Sequence, residues 1–308
     1  TSASLLKERM EARKLELAYE VKLAYFQVYE IRKSQEIIKR NIELLKTLEQ
    51  LALTRVESGK SSAADVITVQ LKIDELEQEL KILDASMAGP VATLNQLMNR
   101  KVSLPLVISD DLSFADMPYD KESVMEVITL GHPMIRMFEL QQEVSHQAIS
   151  LNKLEGMPVF GLGVDYITVS KRTDLDPINN GRDILQLRAT VKLPIFRQKY
   201  KAKEREELHW IEALENNKDE TITRFSAAFE KAFAEYETAR LRAELYDRQK
   251  VKTESAIRML LDSYSNKGAR FDELLRLEGD LVEYDLKMLR AVVKGHIAQG
   301  SIERFIPK

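Results

Sequence analysis

At 308 residues, with 44% hydrophobic and 31% charged positions, the chain has enough material for one large or two small folded domains. A net charge of −3, from acids and bases that alternate along the sequence, gives no electrostatic footprint for nucleic acid. The absence of cysteine excludes disulfides and thiolate metal sites and leaves the redox compartment open.

No apolar run approaches the ~18 to 20 residues of a membrane-spanning helix, and the N-terminus carries no basic-then-apolar leader. Thr1 reads as a start inside a longer protein. Spanning β-strands escape that test because their hydropathy alternates.

From Ser4 to Ser58 there is neither Gly nor Pro, and Ala24, Val28, Ile31, Ile38, Ile42, Leu45 and Ala52 step by four, three and seven. That spacing predicts a seam for a partner helix roughly 80 Å long at 1.5 Å per residue. Gly59 stops the helix, Ser61 and Ser62 offer a fresh N-cap, and a second helix returns from about Ser62 to Asn99. Pro90, after Gly89, predicts a kink near its far end. Between Arg100 and Tyr119 the period fails, and Val102 to Ile108 reads as an extended linker. A short helix from about Asp120 to Leu130 ends at Gly131-His132-Pro133, and a longer one follows from Met134 to about Glu155. His132 reads as a turn residue.

The period then changes to two. Phe160, Leu162, Val164 and Tyr166 share one face, with Gly161, Gly163 and Asp165 on the other. After a turn-rich loop, Ser170 to Arg182, the segment Ile184 to Phe196 alternates again. Leu185, Leu187, Ala189, Val191 and Leu193 oppose Gln186, Arg188, Thr190 and Lys192. About ten residues is the length needed to cross a bilayer at a tilt, and Arg188 and Lys192 would then have to face water. The same alternation also fits a β-hairpin packed on a helical bundle. Beyond Pro194 no Gly or Pro occurs before Gly268, a helical span of about 110 Å if unbroken, and a last helix runs from about Ala269 to Arg304.

The two ends of the chain repeat each other. A shift of 208 carries Val56 to Tyr264, Asp65 to Glu273, Val66 to Leu274 and Ile67 to Leu275. The seam residues after the first tip, Val66, Val69, Ile73, Leu76, Leu80 and Leu83, fall on Leu274, Leu277, Leu281, Tyr284, Met288 and Ala291. Only the glycine slips, since Gly59 shifted would be Lys267 and the second tip has Gly268. The reading is mainly α: long antiparallel coiled-coil helices in two tandem repeats with one β-hairpin. Its parts are a first-repeat helical hairpin (1–100), a linker (101–119), helices leading to the β-hairpin (120–156), the β-hairpin (157–196) and a second-repeat helical hairpin (197–308).

No enzyme chemistry is legible. His132, His146, His209 and His296 are scattered without ligand spacing, and the ten methionines are dispersed as core fillers. Pairs such as Asp74 with Glu75 read as solvated coiled-coil faces. No phosphate loop, nucleophile elbow or zinc helix is present, and no cofactor is expected.

The duplicated tip (Gly59, Ser62, Asp65-Val66-Ile67 and Tyr264, Gly268, Glu273-Leu274-Leu275), His132-Pro133 before a helix, Met157-Pro158 opening one strand and Val191-Lys-Leu-Pro194-Ile-Phe196 closing the next follow one another in a specific order. In that order the chain resembles the TolC-type outer-membrane efflux family over nearly its whole length. The resemblance implies a homotrimeric passive exit duct for efflux or type I secretion. A β-barrel in the lipid of the bacterial outer membrane would continue as a helical tunnel in the periplasm, served by an inner-membrane pump and a periplasmic adaptor. It implies adaptor docking at the tips (Gly59, Ser62, Gly268) and a periplasmic gate of Asp65, Tyr264, Arg270 and Glu273. With Arg276 where a second acid is expected, a doubled acidic ring is not implied. Phe160, Leu162, Val164, Leu187 and Val191 would face lipid, and Gln186, Arg188, Thr190 and Lys192 the lumen. Matched to the family, Thr1 falls just after a first hairpin, so the chain supplies six strands per trimer against twelve.

Two readings remain. In a channel the apolar face of the hairpin is open to lipid, whereas in a structural coiled-coil scaffold or tether it is buried under helices. Asp65, likewise, is either a latch partner or only a cap for its helix.

Overall fold

The computed structural model describes residues 2–108, 112–114, 117–175, 177–267 and 271–307. Seven helices and one two-stranded sheet are described: α1 (Ser2–Glu57), α2 (Ala63–Ser86), α3 (Ala88–Leu97), α4 (Lys121–Glu126), α5 (Pro133–Glu155), β1 (Val159–Ile167), β2 (Ile184–Lys192), α6 (Arg197–Lys267) and α7 (Phe271–Glu303). The chain forms two compact units, one of Thr1–Lys7 with Arg136–Thr221, the other of Glu8–Ile135 with Ile222–Lys308.

In the larger unit the expected seams are the cores. Ile38, Ile42, Leu45, Leu48 and Ala52 of α1, Val66, Val69 and Ile73 of α2, and Tyr264, Phe271, Leu274 and Leu275 of α6 and α7 form one buried cluster. The shifted pairs Leu94 with Ile302 and Leu97 with Phe305 both contribute to cores, though in different clusters. No helix among the described residues is long and apolar enough to cross a membrane.

The first tip follows from two residue choices. Gly59 has φ +68°, and Lys60 N–H donates to the Arg55 carbonyl at 2.8 Å while Gly59 N–H donates to Val56 at 3.0 Å. These paired bonds satisfy the last carbonyls of α1 and need a left-handed residue that glycine supplies without strain. Ser62 then caps α2, its side chain accepting from Ala64 N–H at 3.2 Å.

Three expected boundaries move. The kink expected at Pro90 occurs at Met87, between α2 and α3, because a proline at 90 has no N–H for the Ser86 carbonyl and its ring crowds it. The short helix from Asp120 ends early, at Glu126, and passes into a π-helical turn, Val127–Gly131. Strand β2 stops at Lys192, short of the expected Phe196. The next pair in register would set Leu193 against Pro158, which cannot donate, and Pro194 follows.

Among its described residues the linker has no helix or strand, yet it is pinned. Asn95, fully buried on α3, donates through Nδ2 to the carbonyls of Val102 at 3.1 Å and Leu104 at 2.8 Å. Further on, Phe114 lies against Gly295 of α7, where an added Cβ would stand 2.3 Å from a ring carbon. Only glycine leaves room there for the ring.

In the smaller unit α5 runs beside the start of α6. Asn152 Nδ2 donates to the Tyr200 carbonyl at 2.8 Å, and Gln142 Nε2 donates to Glu215 at 2.7 Å. The β-hairpin belongs to this unit.

Candidate functional site: a two-faced hairpin and a helical tip

Strands β1 and β2 pair antiparallel from Val159 with Lys192 to Ile167 with Ile184. Directly opposed residues share a face. Phe160 with Val191, Leu162 with Ala189, Val164 with Leu187 and Tyr166 with Leu185 therefore make one continuous apolar face. Gly161 with Thr190, Gly163 with Arg188, Asp165 with Gln186 and Val159 with Lys192 lie on the other. On that polar face Arg188 bridges to Asp165 at 2.6 Å, one pair along the ladder, and Thr190 donates to the Gly161 carbonyl at 3.3 Å.

No helix among the described residues covers the apolar face. Leu162 is 92% exposed, Leu187 78% and Phe160 74%. A contiguous apolar surface left bare in water is unfavourable, so these residue types at this spacing call for an apolar surrounding. Arg188, opposite, is supplied with its own counter-charge.

At the tip of α1 and α2 the structure brings together residues two hundred positions apart. Ser61 Oγ donates to the Asp65 carboxylate and lies 3.1 Å from the Tyr264 hydroxyl. A serine hydroxyl has one proton, and the ionised acid can only accept. Tyr264 must therefore donate to Ser61, giving a relay from Tyr264 through Ser61 to Asp65. The Tyr264 ring is fully buried, 4.8 Å from Phe271, with the Arg55 guanidinium 4.7 Å above it. Asp65 is also the acid of the first turn of α2, where the helix dipole favours it, while the side-chain cap of that helix is Ser62. Glu273 sits in the first turn of α7. Arg270 and Gly268 lie outside the described residues.

Ser61 and Arg55 were not anticipated as tip partners. Ser61 reads in the sequence as a second capping serine.

His132 is a cap and not merely a turn residue. Its Nδ1 accepts from Met134 N–H at 3.1 Å at the start of α5, which leaves the ring proton on Nε2. The ring lies 4.7 Å from Phe225 and 6.5 Å from Phe305. Burial pushes its pKa down to about 4, and the nearby Arg304 charge acts the same way, against a hydrogen bond with the Arg304 backbone. The folded value thus lies below the ordinary 6.5, so the unfolded chain takes up a proton first. Stability should fall as pH drops from about 6.5 to about 4 and level off below, by at most about 3 kcal/mol. Urea midpoints across that window should slope less in His132→Gln than in the unaltered chain.

No family model and no curated protein matches this sequence. Solved structures do match its fold. The outer-membrane channel MtrE of Neisseria gonorrhoeae, in its open state, superposes with a TM-score of 0.78 at 15% identity, covering 98% of this chain and 68% of that one. The outer-membrane protein VceC of Vibrio cholerae gives 0.75 at 12% identity, over 98% and 72%. The outer-membrane channel OprN gives 0.75 at 17%, over 98% and 68%. The match covers 98% of this chain, long helices and hairpin alike, and the chain has the fold of the TolC-type outer-membrane channels.

Proposed function

We propose that the chain is a subunit of a passive exit duct in the bacterial outer membrane, part of a tripartite efflux or secretion system and not an enzyme. Three copies would set their hairpins in lipid and continue as helices into the periplasm. An adaptor would dock at the tips around Gly59, Ser62 and Gly268, with the inner-membrane pump acting through it.

The observation that carries this reading is the hairpin. Its apolar face is bare, its polar face holds a self-neutralised Arg188, and its nine-residue strands match the length of a tilted crossing. A scaffold would bury Leu162 and Leu187 beneath helices; both are exposed. Phe160, Leu162, Val164, Leu187 and Val191 are accordingly assigned to lipid, and Gln186, Arg188, Thr190 and Lys192 to the lumen.

Spin labels placed one at a time at 184–192 in the full chain, reconstituted in vesicles, test the assignment. Labels at 185, 187, 189 and 191 should be relaxed by oxygen and those at 186, 188 and 190 by a water-soluble nickel complex. A flat profile along the strand would end the lipid assignment.

The gate is assigned to Asp65, Tyr264, Arg270 and Glu273, with Ser61 as the bridging hydroxyl. Charge-assisted links at a wet site are worth a few kcal/mol at most. Replacing Asp65 and Arg270 together with alanine should raise single-channel conductance in planar bilayers, and an unchanged conductance would remove the gate assignment.

A further inference from the structure

The seam of α7 contains one residue that does not belong in a seam. Glu278 stands among Leu274, Leu275, Leu277, Leu281 and Val282 and is only 4% exposed. Its Oε2 is buried without a hydrogen-bond partner. The equivalent position of the first repeat, 208 residues earlier, is Gln70, which is exposed and donates to Glu49 at 2.7 Å. The two repeats therefore treat the same place differently.

Glu278 lines a cleft of about 380 Å³ between α1 and α7, with Ile37, Leu44 and Leu281 supplying apolar walls. The other charges of the cleft are already matched. Asp285 of α7 is held by Lys250 of α6 at 2.7 Å and by Arg40 of α1 at 3.3 Å, and Glu43 of α1 pairs with Lys46 at 3.8 Å. Among the described residues Glu278 has no such partner. Burial alone raises its carboxyl to about 7, so near neutral pH the cleft holds a carboxylate that lacks a counter-ion in part of the molecules.

We propose that this cleft is a binding site for an amphiphilic organic ammonium ion, with the ammonium on the Glu278 carboxylate and the apolar group against Ile37, Leu44 and Leu281. The volume lies in the range of small-ligand pockets, and a cation with an apolar body satisfies both the lone acid and the aliphatic walls. A divalent metal would need six or more oxygen ligands, and one carboxylate among leucines does not supply them. The site is internal to the helical unit, so this inference does not depend on the assignment of the hairpin to lipid.

Calorimetric titration of the full chain in a non-ionic detergent with phenethylamine, against 2-phenylethanol as the neutral analogue, tests it. At pH 8 the amine should bind at one site at least tenfold more tightly than the alcohol, and its affinity should fall as the pH is lowered to 5.5. Glu278→Gln should weaken amine binding at least tenfold. Leu44→Trp, at a half-exposed position where the larger ring does not disturb the core, should block the cleft with the acid still in place. Equal affinity for amine and alcohol, or unaltered amine binding in either variant, would overturn the proposal.

Discussion

Arginine in place of Leu187 is expected to remove most of the chain's capacity to fold into phospholipid vesicles. Leu187 is the fourth of nine residues in β2, so in a tilted crossing it lies close to the bilayer midplane. Arginine on the lipid side at that depth costs about 2 to 4 kcal/mol, which is roughly a thirty- to eight-hundred-fold shift in the folding equilibrium. Gln186→Arg is the depth-matched control. It sits one residue away on the opposite face, across from Asp165, and its added charge meets an acid and water. The folded fraction, read from resistance to unfolding in urea at fixed lipid, should separate the two variants by at least tenfold. Equal losses would mean that both faces share one environment, which is what a buried packing element would give.

The second large effect is at Tyr264. Tyr264→Ala should lower the stability of the helical unit by about 3 to 5 kcal/mol, the usual cost of deleting a fully buried aromatic ring. The deletion would also strip Arg55 of the ring it stacks on and Ser61 of the hydroxyl that faces it. Tyr264→Phe keeps the ring and removes only the hydroxyl, so its cost should be about 1 kcal/mol. Urea unfolding followed by helical circular dichroism resolves a difference of that size. If Tyr264→Ala proved no worse than Tyr264→Phe, the hydroxyl relay would hold the tip and the ring packing would be incidental.

These expectations divide between what periodicity reveals and what it hides. The long helices, the seam from Ala24 to Ala52 and the reversal at Gly59 are local patterns. Spacing of three and four, a left-handed glycine and a capping serine act within one helical turn or one tight turn. The hairpin was legible for a related reason: alternation by two decides which side chains share a face once the register is set, and Pro158 and Pro194 bound that register.

Other features have no local signature. Ser61 joins Asp65 to Tyr264 across 203 positions of sequence, and nothing in a run of two serines says which of them caps and which relays. Arg55 stacks on an aromatic ring of α6, a partner more than two hundred residues away that no local spacing names. The π-helical turn at Val127–Gly131 leads into the buried His132, whose ring meets Phe225 and Phe305, partners that no local spacing names. Glu278 is the sharpest case. An acid on a heavily charged helix reads as solvated, and the repeat relation points to a solvent-facing Gln70.

By itself the sequence determined where the chain is helical, where it turns, that its ends are copies, and that its hairpin has one apolar and one polar face. Each of these is written in the order of neighbouring residues. Tertiary structure alone decided which side chains from distant segments meet, and so which charges are paired and which acid is left without a partner. Burial and pairing depend on what lies across the gap between elements, and a helical period does not name the residue on the other side.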